Sequence, residues 1–191
     1  MARTKSEDKR RAILDAALSV FAERGTWSTP TAAISRAAGV AEGTLFTYFP
    51  TKEILMNELY RDLKSELAEI LLASFPSDGD VRTRFQHLWQ GYIRWGVTHP
   101  DELKVLAQLQ VADQITPESR EVGRAPFVEI ERIATEAIAH GYLHDYPVAY
   151  HSMLFDTLAE MTIAVIASEP NTTVDYAMIG FDVLWRGTSR S

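Results

Sequence analysis

Apolar residues recur with a period near 3.6 along almost the whole chain. Ile13, Leu14, Ala17, Leu18 and Phe21 mark a first helix over about 8–24, stopped by Gly25. Thr29-Pro30-Thr31 offers a cap and a proline start for a short helix through Ala38, and Gly39-Val40 breaks it. Glu42 to Phe49 is a third short segment, ended by Pro50. Thr51 caps a long helix over 52–74 carrying Leu55, Leu59, Leu63, Leu67 and Ile70. Pro76 and Ser77-Asp78-Gly79-Asp80 end that helix. Phe85, Leu88, Trp89, Tyr92 and Gly96 line the next, over 81–98. Pro100 starts a helix to about Ala112, and Thr116-Pro117-Glu118 one that runs to His140-Gly141, with Pro126 predicting a break or kink inside it. Pro147 opens a helix to about Ser168, and Asn171 or Thr172 caps a last one ending near Arg186. The pattern predicts about nine helices and no strand: an all-α chain.

The last two helices differ from the rest. Residues 149–167 carry two apolar faces, one with Leu154, Leu158, Met161 and Val165, the other with Phe155, Ala159, Thr162 and Ile166. One face suffices for the chain's own core. A second calls for another surface, most simply a second copy of the protein. Met178, Phe181 and Trp185 give the final helix a similar stripe. The plainer alternative is a central helix buried on all sides of a monomer.

Composition sharpens this picture in two respects. With 46% apolar and 24% charged residues and no cysteine, the 191-residue chain suits a folded domain and excludes disulfide scaffolds, thiolate metal sites and cysteine nucleophiles. No uncharged run approaches a membrane span, and the charged start has no apolar segment behind it, so a cytoplasmic protein with no membrane partner is expected. The net charge of −7 hides an asymmetry: residues 1–52 hold eight Lys/Arg against five acids, a net +3, and the remainder carries −10. A basic head on an acidic body suits a chain that meets phosphate at one end only.

The head also carries the most specific motif. Residues 31–52, TAAISRAAGVAEGTLFTYFPTK, place two short helices around a turn at Gly39, a helix-turn-helix pattern. Ile34, Ala37 and Ala38 suit close packing of the first helix, and Leu45 and Phe49 face the core. Glu42, Gly43, Thr44, Thr47 and Tyr48 then form the outer face of the second helix. These residues are small or carry hydroxyls that bond phosphate oxygens, and a Thr methyl can touch thymine. Tyr48 could equally be packing, and Glu42 could either accept from cytosine or complement the helix N-terminus. Arg36 is a candidate phosphate contact on the first helix. Lys52 begins the following helix, where its ammonium and free N–H groups can meet a phosphate. Arg3 and Lys5 are candidates for a contact by an N-terminal arm.

Gly25, Thr31-Ala-Ala-Ile34, Ala38-Gly39-Val40, Gly43-Thr-Leu-Phe-Thr-Tyr-Phe49 and Lys52-Glu-Ile-Leu55, taken together, resemble the signature of the TetR/AcrR family of transcriptional regulators. The resemblance is close over residues 10–60 and architectural beyond. It implies a helix-turn-helix DNA-binding domain over 1–51 and a helical ligand-binding and dimerisation domain over 52–191. It implies a homodimer, most simply a repressor, on a palindromic double-stranded DNA operator, and a small-molecule effector that lowers operator affinity. By position Thr31 matches a phosphate contact, Glu42, Gly43, Thr44, Thr47 and Tyr48 the recognition helix, and Lys52 a phosphate-binding lysine. Two positions depart from the pattern: Ala41 stands where a capping Ser is frequent, and Phe46 where Tyr is.

Leu59, Leu63, Trp89, Tyr92 and Phe127 are the candidate effector contacts, since such sites are mostly apolar and aromatic and a hydrophobic or aromatic compound would fit them. The same residues fit core packing equally well. No cofactor or metal is expected. Glu136, His140 and His144 have metal-like spacing, but Gly141 should end the helix and take His144 off the shared face. No phosphate loop or nucleophile triad supports an enzyme. A DNA-binding protein insensitive to any ligand is the remaining alternative.

Overall fold

The computed structural model describes residues 5–190. Among them the regular structure is helical: α1 (Lys5–Arg24), α2 (Thr31–Ala37), α3 (Glu42–Tyr48), α4 (Lys52–Leu72), α5 (Val81–Thr98), α6 (Pro100–Gln110), α7 (Pro117–Arg124), α8 (Val128–Ala139), α9 (Val148–Ser168) and α10 (Tyr176–Thr188). A 3-10 turn, Ala125–Phe127, separates α7 from α8. Pro126 is its cause: the segment read as one interrupted helix becomes two, because proline cannot donate to the preceding turn.

Side-chain caps explain four of the starts. The Thr51 hydroxyl accepts from Ile54 N at 3.2 Å and opens α4. Asp80 accepts from Thr83 N at 2.7 Å for α5, and Thr116 from Ser119 N at 3.1 Å for α7. Two caps differ from expectation. The last helix is capped by Asp175, which accepts from Met178 N at 2.9 Å, and not by Asn171 or Thr172. Thr29 does not cap α2: Pro30 occupies the N-cap, the Thr29 hydroxyl donates to the Gly25 carbonyl at 2.7 Å, and the Thr31 hydroxyl donates to Glu42 at 3.0 Å.

The helices form two compact units, the first running to Ser65 and including His99–Arg124, the second comprising Glu66–Thr98 and Ala125–Ser191. The boundary expected between residues 51 and 52 falls inside the first unit, which holds the first two-thirds of α4 together with α6 and α7. Its core is Ile13, Leu14, Ala17 and Phe21 of α1 with Ile34, Leu45, Phe49, Leu55, Leu59, Val105 and Leu109. Burying a side chain of this kind contributes roughly 1.5–3 kcal/mol. Polar ties reinforce it. Lys104 Nζ donates to the Ala22 carbonyl at 2.6 Å, and Gln108 accepts from Thr26 N at 2.9 Å, joining α6 to the end of α1. Asn57 is buried on α4; it donates to the Gln114 carbonyl at 2.7 Å and accepts from Thr116 N at 2.9 Å.

The second unit packs α5, α9 and α10 around Leu88, Trp89, Ile93, Trp95, Ala159, Ile163, Phe181 and Leu184. Trp89 meets Phe155 edge-on, with ring centroids 5.4 Å apart, and its indole N–H donates to the Ala177 carbonyl at 2.7 Å. That bond draws α10 close, and Gly180 permits the approach.

Candidate nucleic-acid interface

The helix-turn-helix is closed by backbone geometry. α2 ends with Gly39 at φ +66, the left-handed region that glycine adopts without Cβ strain. Gly39 N donates to the Arg36 carbonyl at 3.2 Å and Val40 N to the Ser35 carbonyl at 3.0 Å, a Schellman turn. The turn delivers Ala41 in extended conformation to the N-cap of α3, where no side chain caps, as its lack of a hydroxyl predicts. Leu45 and Phe49 pin α3 to the core. On α2, Ile34 and Ser35 are buried, whereas Ala37, expected to pack, is exposed. The small residue needed at the crossing is Ser35, whose hydroxyl donates back to the Ala32 carbonyl at 3.2 Å.

This anchoring leaves one face of α3 in solvent. Glu42, Gly43, Phe46 and Thr47 are exposed; Thr44 and Tyr48 are half-buried. Thr47 spends its hydroxyl proton on the Gly43 carbonyl at 2.9 Å, which leaves its oxygen only as an acceptor for a further partner. Tyr48 shares a hydrogen bond of 3.3 Å with the Ser6 hydroxyl, tying α3 to the first turn of α1. Phe46 projects a bare ring beside Thr47, a shape suited to a thymine methyl. The departure from Tyr thus exchanges a hydroxyl for apolar surface.

The cations divide into two groups. Arg10 is paired with Glu58, Arg11 with Asp62 at 2.7 Å and with Asp15 at 2.8 Å, so these two lock α1 to α4. Lys52 is also engaged: its Nζ donates to the Thr29 carbonyl at 2.6 Å and the Trp27 carbonyl at 3.2 Å, and lies over the Phe21 ring at 5.8 Å. Burial lowers its pKa, against the opposing pull of Glu53. Lys52 therefore staples the α1–α2 loop and retains one N–H for another acceptor. Arg36 is exposed on α2. Arg3 lies outside the described residues, as does the side chain of Lys5, which begins α1. Trp27, 63% exposed in the stapled loop, was not singled out by the sequence; an indole in a polar loop has no periodicity to betray it.

Residues 13–59 match the family described as bacterial regulatory proteins, tetR family. Among curated proteins, the transcriptional regulator AcrR of Shigella flexneri is 35% identical over 77 residues, 39% of this chain and 36% of that protein. The fatty acid metabolism regulator of Bacillus subtilis is 37% identical over 57 residues, 30% of this chain and 29% of that protein. The chain thus spans about a third of the length of these relatives. Residues 13–59 thus carry the tetR-family domain. Solved structures extend the likeness over the chain's whole length. One from Shewanella sp. PV-4, described provisionally as a TetR-family regulator, has 27% identity and a TM-score of 0.83, covering 99% of this chain and 100% of that one. A TetR-family regulator from Marinobacter aquaeolei has the same fold, with a TM-score of 0.90 at 19% identity and 100% coverage of both chains.

The five residues offered as effector contacts are divided between the units. Leu59 and Leu63 are buried in the first. Trp89, Tyr92 and Phe127 belong to the second, where Trp89 is core with its N–H already spent. Tyr92 packs on Phe155 and Trp95, and burial, aided by Asp156 and Glu160, pushes its phenol up. Of the residues offered for a dimer, Met161 is 55% exposed and Leu154, Leu158, Val165, Met178 and Trp185 are half-buried. Phe181 is a correction. It is fully buried, stacked on Trp185, and serves the core of its own unit. The outward apolar positions of α10 are Ile179 and Val183, four residues apart on one face beside the stripe that was read.

Proposed function

We propose that this protein is a ligand-responsive transcriptional regulator and not an enzyme. It binds double-stranded DNA as a homodimer through α3, and a small effector changes its affinity for the operator. The observation that carries the reading is the exposed face of α3, set on a rigid helix-turn-helix with Gly43, Phe46 and Thr47 outward. Thr31, Arg36, Tyr48 and Lys52 are the proposed phosphate contacts around it, and Glu42, Gly43, Thr44 and Thr47 approach the bases. In a symmetric dimer two recognition helices about 34 Å apart would enter successive major grooves, which implies a palindromic site. Repression follows if the operator overlaps a promoter, and an effector that prefers the unbound arrangement would release it. The aromatic residues of the helical body favour a hydrophobic or aromatic effector. Trp89, Tyr92 and Phe127, all in the second unit, remain candidate contacts.

Fluorescence anisotropy on DNA flanking the protein's own gene, against scrambled DNA, tests this. Gly43→Glu is the informative variant, because no atom lies within 4 Å of the added Cβ and the fold should tolerate it. A carboxylate there faces phosphate, and affinity should fall by at least about tenfold. Arg36→Ala should weaken specific and scrambled DNA alike and reduce the salt slope by about one. Equal binding of Gly43→Glu and wild type would sink the assignment of α3 as the reading helix.

A further inference from the structure

The second unit contains a cavity of about 340 Å³ between the start of α5 and the end of α8. None of the five expected effector contacts lines it. Asp80, Val81, Arg84, Ile133, Glu136, His140 and Tyr142 do.

The charges can be followed one by one. Asp80 is committed to the α5 cap through Thr83 N, a bond that holds its carboxyl below the usual range. Glu136 is paired with Arg132 on its own helix. The Nδ1 edge of His140 meets the Glu136 carbonyl at 2.8 Å. Arg84 is the exception. Among the described residues it makes no salt bridge, although its charge helps to lower the pKa of Asp80, and its Nε is shut off from solvent with no hydrogen-bond partner. An unsatisfied guanidinium N–H costs free energy, and a bound carboxylate recovers it once the side chain turns Nε toward the cavity.

We propose that this cavity binds a small monocarboxylate with an apolar or aromatic body. The planar fork of Arg84 matches a carboxylate in two-point contact. Val81, Ile133 and Ala137 supply the apolar wall. Two neighbouring carboxylates, Asp80 and Glu136, would repel a second negative charge, so a dianion or phosphate is disfavoured. The volume sits at the low end of ligand sites, about 300–1,000 Å³, and suits a single ring or short chain. As an effector site it rests on the regulator reading above; the binding itself does not, and it is measured without DNA.

Benzoate is the probe and benzamide its uncharged isostere, each titrated calorimetrically into the full chain. Saturable benzoate binding is expected, with benzamide and the Arg84→Gln variant weaker by at least about tenfold, the loss of one charge-assisted pair. Arg94→Gln, an exposed arginine further along α5, should bind as wild type does. If Arg84→Gln melts early, Arg84→Lys keeps the charge and loses the fork, and a smaller but measurable weakening is expected. No benzoate binding at millimolar concentration, equal binding of benzamide, or undiminished binding in the Arg84 variants would each overturn the proposal. DNA binding that persists while benzoate fails overturns this site alone. Benzoate binding without DNA binding overturns the regulator reading alone.

Discussion

A single methyl group decides the packing of α10. A Cβ on Gly180 would lie 2.5 Å from Thr162 Oγ1 and 2.7 Å from Trp89 Cζ2, both in the crowded middle of the second unit. Gly180→Ala must therefore move an indole or a helix, at a cost of about 1–3 kcal/mol. Gly187, on the same helix, has nothing within 4 Å of such a Cβ. Gly187→Ala should leave the melting temperature unchanged or slightly raised. Thermal melts of the pair check the contrast, and equal shifts would refute it. The sequence shows both glycines but not which one touches anything, because periodicity gives a helix face and not the depth of a neighbour. The same limit explains Phe181: a large apolar side chain in a stripe reads alike whether it meets its own core or a partner. Ionisation at high pH is a second residue-scale prediction. Burial raises the pKa of Tyr60, with Arg120 opposing, and that of Tyr92, and a bond to Glu169 raises that of Tyr176. Their folded values lie above the unfolded one, so their stabilisation is complete below pH ~10 and is lost as pH climbs through the raised values. Lys52, with its pKa lowered, works the other way, but it is one group against three. Denaturant midpoints should fall above pH ~10, and Tyr92→Phe should flatten that fall.

At the scale of elements, the helix starts and stops were legible where their chemistry is local. Thr51, Asp80, Pro100 and Gly39 sit where the chain bends, and each acts through its own backbone or the next turn. What joins one helix to another was not legible, since it depends on pairs far apart in sequence. Asn57 is the clearest case. Read alone, it is a polar interruption on the buried face of α4. In the structure its amide also donates to the Glu53 carbonyl at 2.7 Å, so one side chain serves α4 and the segment that leads into α7. Asn57→Ala strands the Thr116 N–H and the Gln114 carbonyl, and should destabilise by about 2–3 kcal/mol. Asn57→Asp keeps an acceptor for Thr116 and loses both donated bonds. It buries a charge as well and should be no better. Urea unfolding would check both, and a change under about 0.5 kcal/mol in Asn57→Ala would mean that water replaces the amide. The basic head follows the same logic. Its count of cations was correct, yet Arg10 and Arg11 are committed to Glu58 and Asp62, so the charge that can meet phosphate is smaller than the count suggested.

For the whole molecule, the apolar surface of α9 and α10 sets the largest prediction. Met153 at 65%, Met161, Ile179 at 51% and Val183 at 53% exposure stand out among large apolar side chains that the unit leaves in solvent. On α9 the half-buried Leu154, Leu158 and Val165 continue the row, spaced four and three apart with Met161. A monomer rarely exposes such a stripe on two adjacent helices, whereas a twofold interface of about 800 Å² per partner needs one. The two-faced pattern of residues 149–167 was readable, and its inner face is the core side, with Ala159 and Thr162 buried. The position of the outer face on α10 was not readable, because Phe181 and Val183 differ by two residues and only packing says which turns inward. Placing a carboxylate on each helix, in Met161→Glu with Val183→Glu, should leave the folded unit intact and convert a dimer to monomer in sedimentation velocity. Desolvating four carboxylates across a twofold axis costs far more than the lost apolar contact. Operator affinity should fall with it, since a single reading head forgoes half the phosphate contacts and the avidity that links them. A Phe181→Ala variant separates the roles, because removing a core ring should lower the melting temperature while the oligomeric state persists. A wild-type protein that sediments as a monomer at micromolar concentration would remove this interface and the palindromic operator together.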